Sequence, residues 1–367
     1  MLEFIKGIVE SLAQFRAVRR AHYYAVRGTL EIFASNRLLA TLYATLAFPT
    51  FNREQYAVLR GRRDYYRSLS ARSRRSAELR RSIHRIEKGL SMRPLRSRFA
   101  EGYIADAVEQ YRRCLRSGGE SEKGPDKQEL RWAQDVLRRY FKTVEVTSVT
   151  EQAFRTFKRT EQPDSDGDEN APYPAGNRPA CPFGHEDFHQ LALRRRSIRW
   201  FLQEPVPRSL IDKALTSAGL SPTACNRQPY EFMIYDEPEL VKRVASVPFG
   251  TKGYAQQIPA LAVVVGNLDN YASPRDRHAI YIDSSLATMS FLLGLETLGL
   301  SSTVINWPDF EPLELRMQRL LGLESSQRVT MLVGFGYPDP EGLVPYSGKK
   351  GLEYFRSFNR CRGKLAR

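Results

Sequence analysis

SPTACNRQPYEF (Ser221–Phe232) sets two prolines around Asn226, Arg227 and Gln228 and then runs directly into an apolar stretch. Pro222 and Pro229 hold this chain out of helix. The YEFMIYD segment that begins at Tyr230 has the aromatic and apolar content of a buried strand. Side-chain amides both donate and accept hydrogen bonds, so amides placed at the mouth of a buried strand require partners. A planar ligand with carbonyls and ring N–H groups would supply them.

Working outward, the flanking sequence alternates helical and strand patterns. EDFHQLALRRRS and PRSLIDKALTSAGL read as amphipathic helices, and ALAVVVGN, STVINW and VTMLVGFGYP as short strands. EPELVKRVASV and EPLELRMQRLLGL open with Glu-Pro, where proline suits a helix start. YIDSSLATMSFLLGLETLGL (Tyr281–Leu300) is apolar on nearly every face, which predicts a helix buried all round. Helices and strands intermixed around one core give an α+β or α/β domain.

LRRRSIRWF (Leu193–Phe201) places Arg195, Ser197 and Arg199 on alternate positions where a helix gives way to extended chain. Two guanidiniums and a hydroxyl on one side can hold a phosphate through charge-assisted hydrogen bonds. The bland alternative is solvated charge at a helix end. For the amide stretch it is an Asx-type loop capping a helix.

Taken together, RRSIRWF…EPVP…LIDKALTSAGLSPTACNRQPYEFMIY resembles the start of the nitroreductase family of FMN-dependent oxidoreductases. LETLGLSSTVI, GFGYPDP and the pair Lys349–Lys350 follow in the family's order. The resemblance spans about Phe183 to Phe358. It implies an α+β fold, a nitroreductase-like mixed sheet wrapped by helices, forming a homodimer with FMN at the subunit interface. It further implies ping-pong hydride transfer from NAD(P)H to an acceptor: a nitro compound, a quinone or another conjugated molecule. By position, Arg195, Arg196, Ser197 and Arg199 match phosphate and ribityl contacts, and Lys349 closes the phosphate site. Pro222, Thr223 and Asn226 fall at the flavin ring, Gln228 is an amide that fixes the loop, and Gln256 or Gln257 sits near the pyrimidine edge. Two positions depart from the pattern: Cys225 replaces a small residue, and Thr303–Glu311 lacks the glycine expected near flavin N5, carrying Trp307 and Pro308 instead.

The other half is different in kind. Residues 1–150 hold 30 Lys+Arg against 16 Asp+Glu, whereas the remainder holds 26 against 25, so nearly all of the +15 net charge lies N-terminal. Residues 1–159 read as a separate, basic, mainly α-helical domain. TEQPDSDGDENAPYPAGNRPACP (Thr160–Pro182) reads as a linker by its proline and polar content, and 183–367 as the flavin-binding domain. RRSIHRIEKGLSMRP (Arg80–Pro94) is an unusually polar cluster able to meet an anionic group. A second class of function is therefore an interaction scaffold whose basic half docks on an acidic partner or membrane surface. Salt-reversible binding to anionic vesicles without flavin would mark it. No recognised nucleic-acid motif is present, and a nucleic-acid partner is not expected.

LLATLYATLAF (Leu38–Phe48) is too short to span a bilayer, and Met1–Ile8 lacks a signal-peptide pattern. Four scattered cysteines without a CxxC pair suit a reducing cytoplasm. HEDFH (His185–His189) matches HExxH, but in a zinc hydrolase that helix is central, whereas here it emerges from the linker and runs into the arginine element, so no metal is expected.

Overall fold

The structure, a computed structural model, describes residues 16–47, 49–69, 76–116, 126–162 and 169–359. The expectations for Met1–Ile8, most of the Ser117–Asp126 loop, the centre of the linker and Cys361 fall outside the described residues.

The C-terminal half is built on four strands, β1 (Tyr230–Tyr235), β2 (Ala260–Asn267), β3 (Ser301–Asn306) and β4 (Gln327–Gly336), in the order β1-β2-β4-β3. All three ladders are antiparallel, and the parallel component is a bridge from Ser197 to Ser302. β2 lies inside the sheet with both faces covered, which is why ALAVVV reads as an unbroken apolar run. Leu261, Val263 and Val265 enter one core with Val241, Ile305 and Met317. Ala260 and Ala262 enter the other with Phe291, Leu295 and Val333.

The first core is covered by α10 (Pro238–Ala245) and α12 (Glu311–Leu321), the second by α9 (Arg208–Gly219) and α11 (Ala279–Thr297). Small residues let α11 approach: a Cβ on Gly266 would stand 2.7 Å from Ile280 Cβ. The expectation that α11 is buried all round is corrected. It buries Ile280, Ala287, Phe291 and Leu295 but exposes Ile282, Leu286 and Met289. Helical spacing places these three on one stripe, pointing away from the sheet.

The N-terminal half has its own core. α4 (Ala77–Leu90), α5 (Ile104–Arg116), α6 (Lys127–Thr143) and α7 (Ser148–Lys158) bury Ile83, Ile86, Val108, Tyr111, Leu137, Tyr140 and Phe157 together. Two buried tyrosines are satisfied inside it: Tyr111 Oη donates to Gln134 Oε1 at 2.6 Å and Tyr140 Oη to the Phe99 carbonyl at 2.7 Å. Asp126 caps α6 by accepting from Glu129 N at 2.7 Å. α1 (Arg16–Phe33) and α2 (Arg37–Ala47) precede this core, and Leu38, Leu42 and Leu46 of α2 are exposed. Among the described residues no helix is long and apolar enough to cross a membrane.

α3 (Pro49–Ser68) instead seats on the C-terminal domain. Ala57 joins Leu268, Tyr271 and Ile280 in a small core, and Arg62 Nε donates to the Ala272 carbonyl at 3.0 Å. Gly61 permits the approach, since a Cβ there would lie 2.7 Å from Leu268 Cβ and 2.8 Å from its backbone C and O. Backbone cannot yield as a side chain can. Gly61→Ala is therefore expected to cost about 1–3 kcal/mol and lower the melting temperature. Gly28→Ala, with nothing within 4 Å of the added methyl, should not.

Candidate active site

The arginine element begins where α8 (His185–Arg194) ends. Arg195 leaves the helix at φ −60°, ψ 115°, and the chain continues extended along the sheet edge. Ile198 N donates to the Ser302 carbonyl at 3.0 Å and Leu202 N to the Tyr337 carbonyl at 2.9 Å. Ile198 packs on the core, so the alternate residues Arg195, Ser197 and Arg199 face away from it. Among the described residues the side chains of Arg195 and Ser197 make no hydrogen bond or ion pair, and the Arg199 guanidinium lies 5.7 Å from the Tyr254 ring centroid. Arg196 turns back, Nη1 donating to the Arg195 carbonyl at 3.0 Å. Beside the element Arg194 stands 3.2 Å from Glu296, whose carboxyl burial holds above the usual carboxylate range. Ser302 Oγ and Thr303 Oγ1 are buried in β3 without a protein partner.

The amide loop is strained. Cys225, Asn226 and Gln228 have φ of 54°, 52° and 48°, a left-handed conformation that L-residues rarely adopt, costing of order 1–3 kcal/mol each. It persists because the surroundings over-determine it. Ala224 N donates to Asp283 Oδ2 at 2.9 Å, and Tyr271 Oη donates to the same oxygen at 3.2 Å. Burial raises the Asp283 carboxyl pKa, and these two donors oppose that. Gln228 N donates to Thr223 Oγ1 at 3.1 Å, and Gln228 Nε2 to the Gly219 carbonyl at 2.9 Å. The Arg227 guanidinium stacks 4.9 Å from the Tyr271 ring centroid, and Arg80 Nε donates to the Asn226 carbonyl at 2.6 Å. The Asn226 side-chain amide, half-buried, has no partner among the described residues and is presented by this scaffold. Pro222 lies exposed at the start of the loop.

The two elements stand at opposite ends of the sheet within one chain. Ser197 aligns with Ser302, Phe335 and Ala260, whereas Tyr230, next to the loop, aligns with Gly266. From Ala260 to Gly266 the strand advances about 20 Å. Lys349 is exposed in the tail that leaves β4, without a protein partner. Gln256 lies at the arginine end of the sheet, two residues beyond Tyr254 and four before Ala260, in the wall of a cavity of about 900 Å³ with Lys242, Arg243, Arg316 and Arg319. The residues fit a phosphorylated flavin as two half-sites among the described residues: cations without a hydrogen-bonded counter-ion and a free hydroxyl at one end, and an unpartnered amide on a strained loop at the other.

Other residues resolve differently. Trp307, at the position where a glycine was expected, is buried in the core, its Nε1 donating to Glu314 Oε1 at 2.5 Å. The His185 and His189 rings stack at 5.9 Å, and among the described residues no group of three His, Cys, Asp or Glu side chains is placed to hold a metal. His84, Glu87 and Lys88 line a cavity of about 660 Å³ with Gln128, Trp132 and Tyr173. Cys114 is buried, which pushes its thiol up to about 12, Cys181 is exposed and Cys225 half-buried, and all three are free. Sequence reasoning missed Asp283, Tyr271 and Arg80 as supports of the loop. Arg80 lay within the flagged polar cluster, but nothing local indicated its target.

A family model described as "Nitroreductase family" matches residues 192–256 and 246–337. An Archaeoglobus fulgidus protein provisionally named an NADH dehydrogenase/NAD(P)H nitroreductase is 32% identical over 161 residues, 42% of this chain and 88% of that one. The human iodotyrosine deiodinase 1 is 23% identical over 196 residues, 46% of this chain and 67% of its own. This chain thus spans about two thirds of that relative's length. Among solved structures, an FMN-dependent nitroreductase from Clostridium difficile R20291 is 22% identical, with a TM-score of 0.40 over 47% of this chain and 98% of that one. The chain belongs to the nitroreductase family, a family of flavin-dependent oxidoreductases.

Proposed function

We propose that this protein is an FMN-dependent oxidoreductase that uses NAD(P)H to reduce a conjugated acceptor, and that it works as a homodimer. The observation that carries the reading is the separation of the two half-sites by roughly the length of the sheet. A second copy related by a two-fold axis would bring the arginine element of one chain to the amide loop of the other. The exposed stripe Ile282, Leu286 and Met289 on α11, and Leu343, Tyr346, Phe355 and Phe358 in the exposed tail, offer apolar surface for that contact.

In this reading Arg195 and Arg199 hold the phosphate, with Lys349 closing over it and Ser197 contacting the ribityl chain. Asn226 and Thr223 meet the ring, and Gln228 keeps their loop in shape. FMN, when bound, supplies the two-electron hydride chemistry. The basic groups and backbone N–H donors around its pyrimidine edge would favour negative charge there. NAD(P)H and the acceptor would occupy one pocket in turn. The nitroreductase relative supports a nitro compound as acceptor, and the deiodinase relatives add an iodotyrosine. The unpaired cysteines support a reducing cytoplasm.

The test is the absorption spectrum of purified protein soaked in excess FMN and desalted, followed by NADH and NADPH oxidation against a quinone, a nitroaromatic and an iodotyrosine. A bound yellow chromophore and turnover with one acceptor are expected. Protein that stays colourless after soaking would end the proposal.

A further inference from the structure

We infer that Arg80 of α4 is a positioning residue for the flavin loop, so that the N-terminal helical domain completes the site. The inference rests on reading residues 223–228 as the ring-contacting loop. Arg80 is 13% exposed and is held on both sides before it reaches the loop. Its Nη1 is 3.4 Å from Glu129 Oε2, a side chain 9% exposed at the start of α6. Its guanidinium lies 5.4 Å from the Trp132 ring centroid, and the Trp132 indole donates to Glu87 Oε1 at 2.8 Å. Its Nε donates to the Asn226 carbonyl at 2.6 Å, across 146 residues of sequence.

That carbonyl is the sensitive point. Asn226 sits at φ 52° between two other strained residues, Cys225 and Gln228. A bond from a fixed cation to its carbonyl sets the plane of the Asn226–Arg227 peptide and offsets the cost of the left-handed turn. The direction in which Asn226 presents its amide follows from that plane. Asp283 and Gln228 hold the two ends of the loop, and Arg80 holds its middle.

The experiment uses full-length parent, Arg80→Ala, Arg80→Lys, Glu129→Gln and, as control, Arg98→Ala, which removes only an exposed pair with Glu145. Two quantities are read: the iodoacetamide alkylation rate of Cys225 in flavin-stripped protein, resolved by peptide mass spectrometry, and the FMN Kd by flavin fluorescence. Loss of one charge-assisted bond should raise the Cys225 rate and the FMN Kd each by about tenfold in Arg80→Ala. Arg80→Lys and Glu129→Gln should fall between it and the parent, and Arg98→Ala should match the parent. Cys114, buried in the N-terminal core, reports unfolding; if it too becomes reactive in Arg80→Ala, Arg80→Lys and Glu129→Gln decide. Cys225 reactivity and FMN Kd at parental values in the folded variants would overturn the inference. Should the parent itself bind no FMN, the flavin reading falls while alkylation still decides the role of Arg80.

Discussion

Replacing Arg195 and Arg199 together with alanine is expected to strip the protein of FMN while leaving its fold intact. Among the described residues the Arg195 guanidinium has no hydrogen-bond or ion-pair partner, and the Arg199 guanidinium meets only the Tyr254 ring. Neither supports the core, so their removal should cost little stability. Each charge-assisted bond to a phosphate is worth about 1.5–3 kcal/mol, so losing two weakens FMN by roughly 10²–10⁴-fold. Equilibrium dialysis or fluorescence titration reads the affinity, and a thermal melt of the flavin-stripped proteins reads the fold. Unchanged affinity in the double variant would move the phosphate elsewhere. A large fall in apo melting temperature would make the two arginines structural. Glu296 is the one group expected to respond, because its buried carboxylate is attracted by Arg194 and Arg195. Arg194 remains in the variant, at 3.2 Å from that carboxylate.

What the sequence discloses depends on whether an interaction is local. The four strands and the helices between them were legible because their apolar periods are set by neighbours one turn or one residue away. β2 reads as continuous because both its faces are covered. The arginine and amide elements were legible as residue types in a fixed order. What stayed hidden is non-local. In ACNRQ only Asn is an ordinary occupant of the left-handed region, yet Cys225 and Gln228 adopt it too, because Asp283, Gly219 and Arg80 hold the loop from outside. The stripe on α11 looked like core because Ile, Leu and Met carry the same signal whether they are buried or exposed. Trp307 stood where a glycine was expected, and its position alone did not reveal that its side chain turns inward to Glu314. The seating of α3 on the C-terminal domain depends on Gly61 and on charged residues whose partners lie hundreds of positions away.

Glu314→Ala is expected to be the most destabilising of the single substitutions considered, by about 3–5 kcal/mol, because it leaves two buried arginines without their shared counter-ion. The Glu314 side chain is 4% exposed and that of Arg328 3%, with Arg328 Nη2 3.8 Å from Glu314 Oε1. Arg53 Nη1 of α3 stands 2.7 Å from Glu314 Oε2, at 13% exposure. The same carboxylate also accepts from the Trp307 indole. One acidic side chain on α12 therefore joins β4, the end of β3 and the N-terminal helix α3. Asp309 still holds Arg328 Nη2 at 2.6 Å, but Arg53 keeps only Glu311, at 3.5 Å. Adding Arg53→Ala to Glu314→Ala should recover part of the loss, since it removes one of the stranded charges. Denaturant titration of the single and double variants measures the coupling. Glu239→Ala, at an exposed Lys242 pair, should stay within about 0.5 kcal/mol of the parent. If Glu314→Ala were as mild as Glu239→Ala, the cluster would be adequately hydrated and would not join α3 to the C-terminal half.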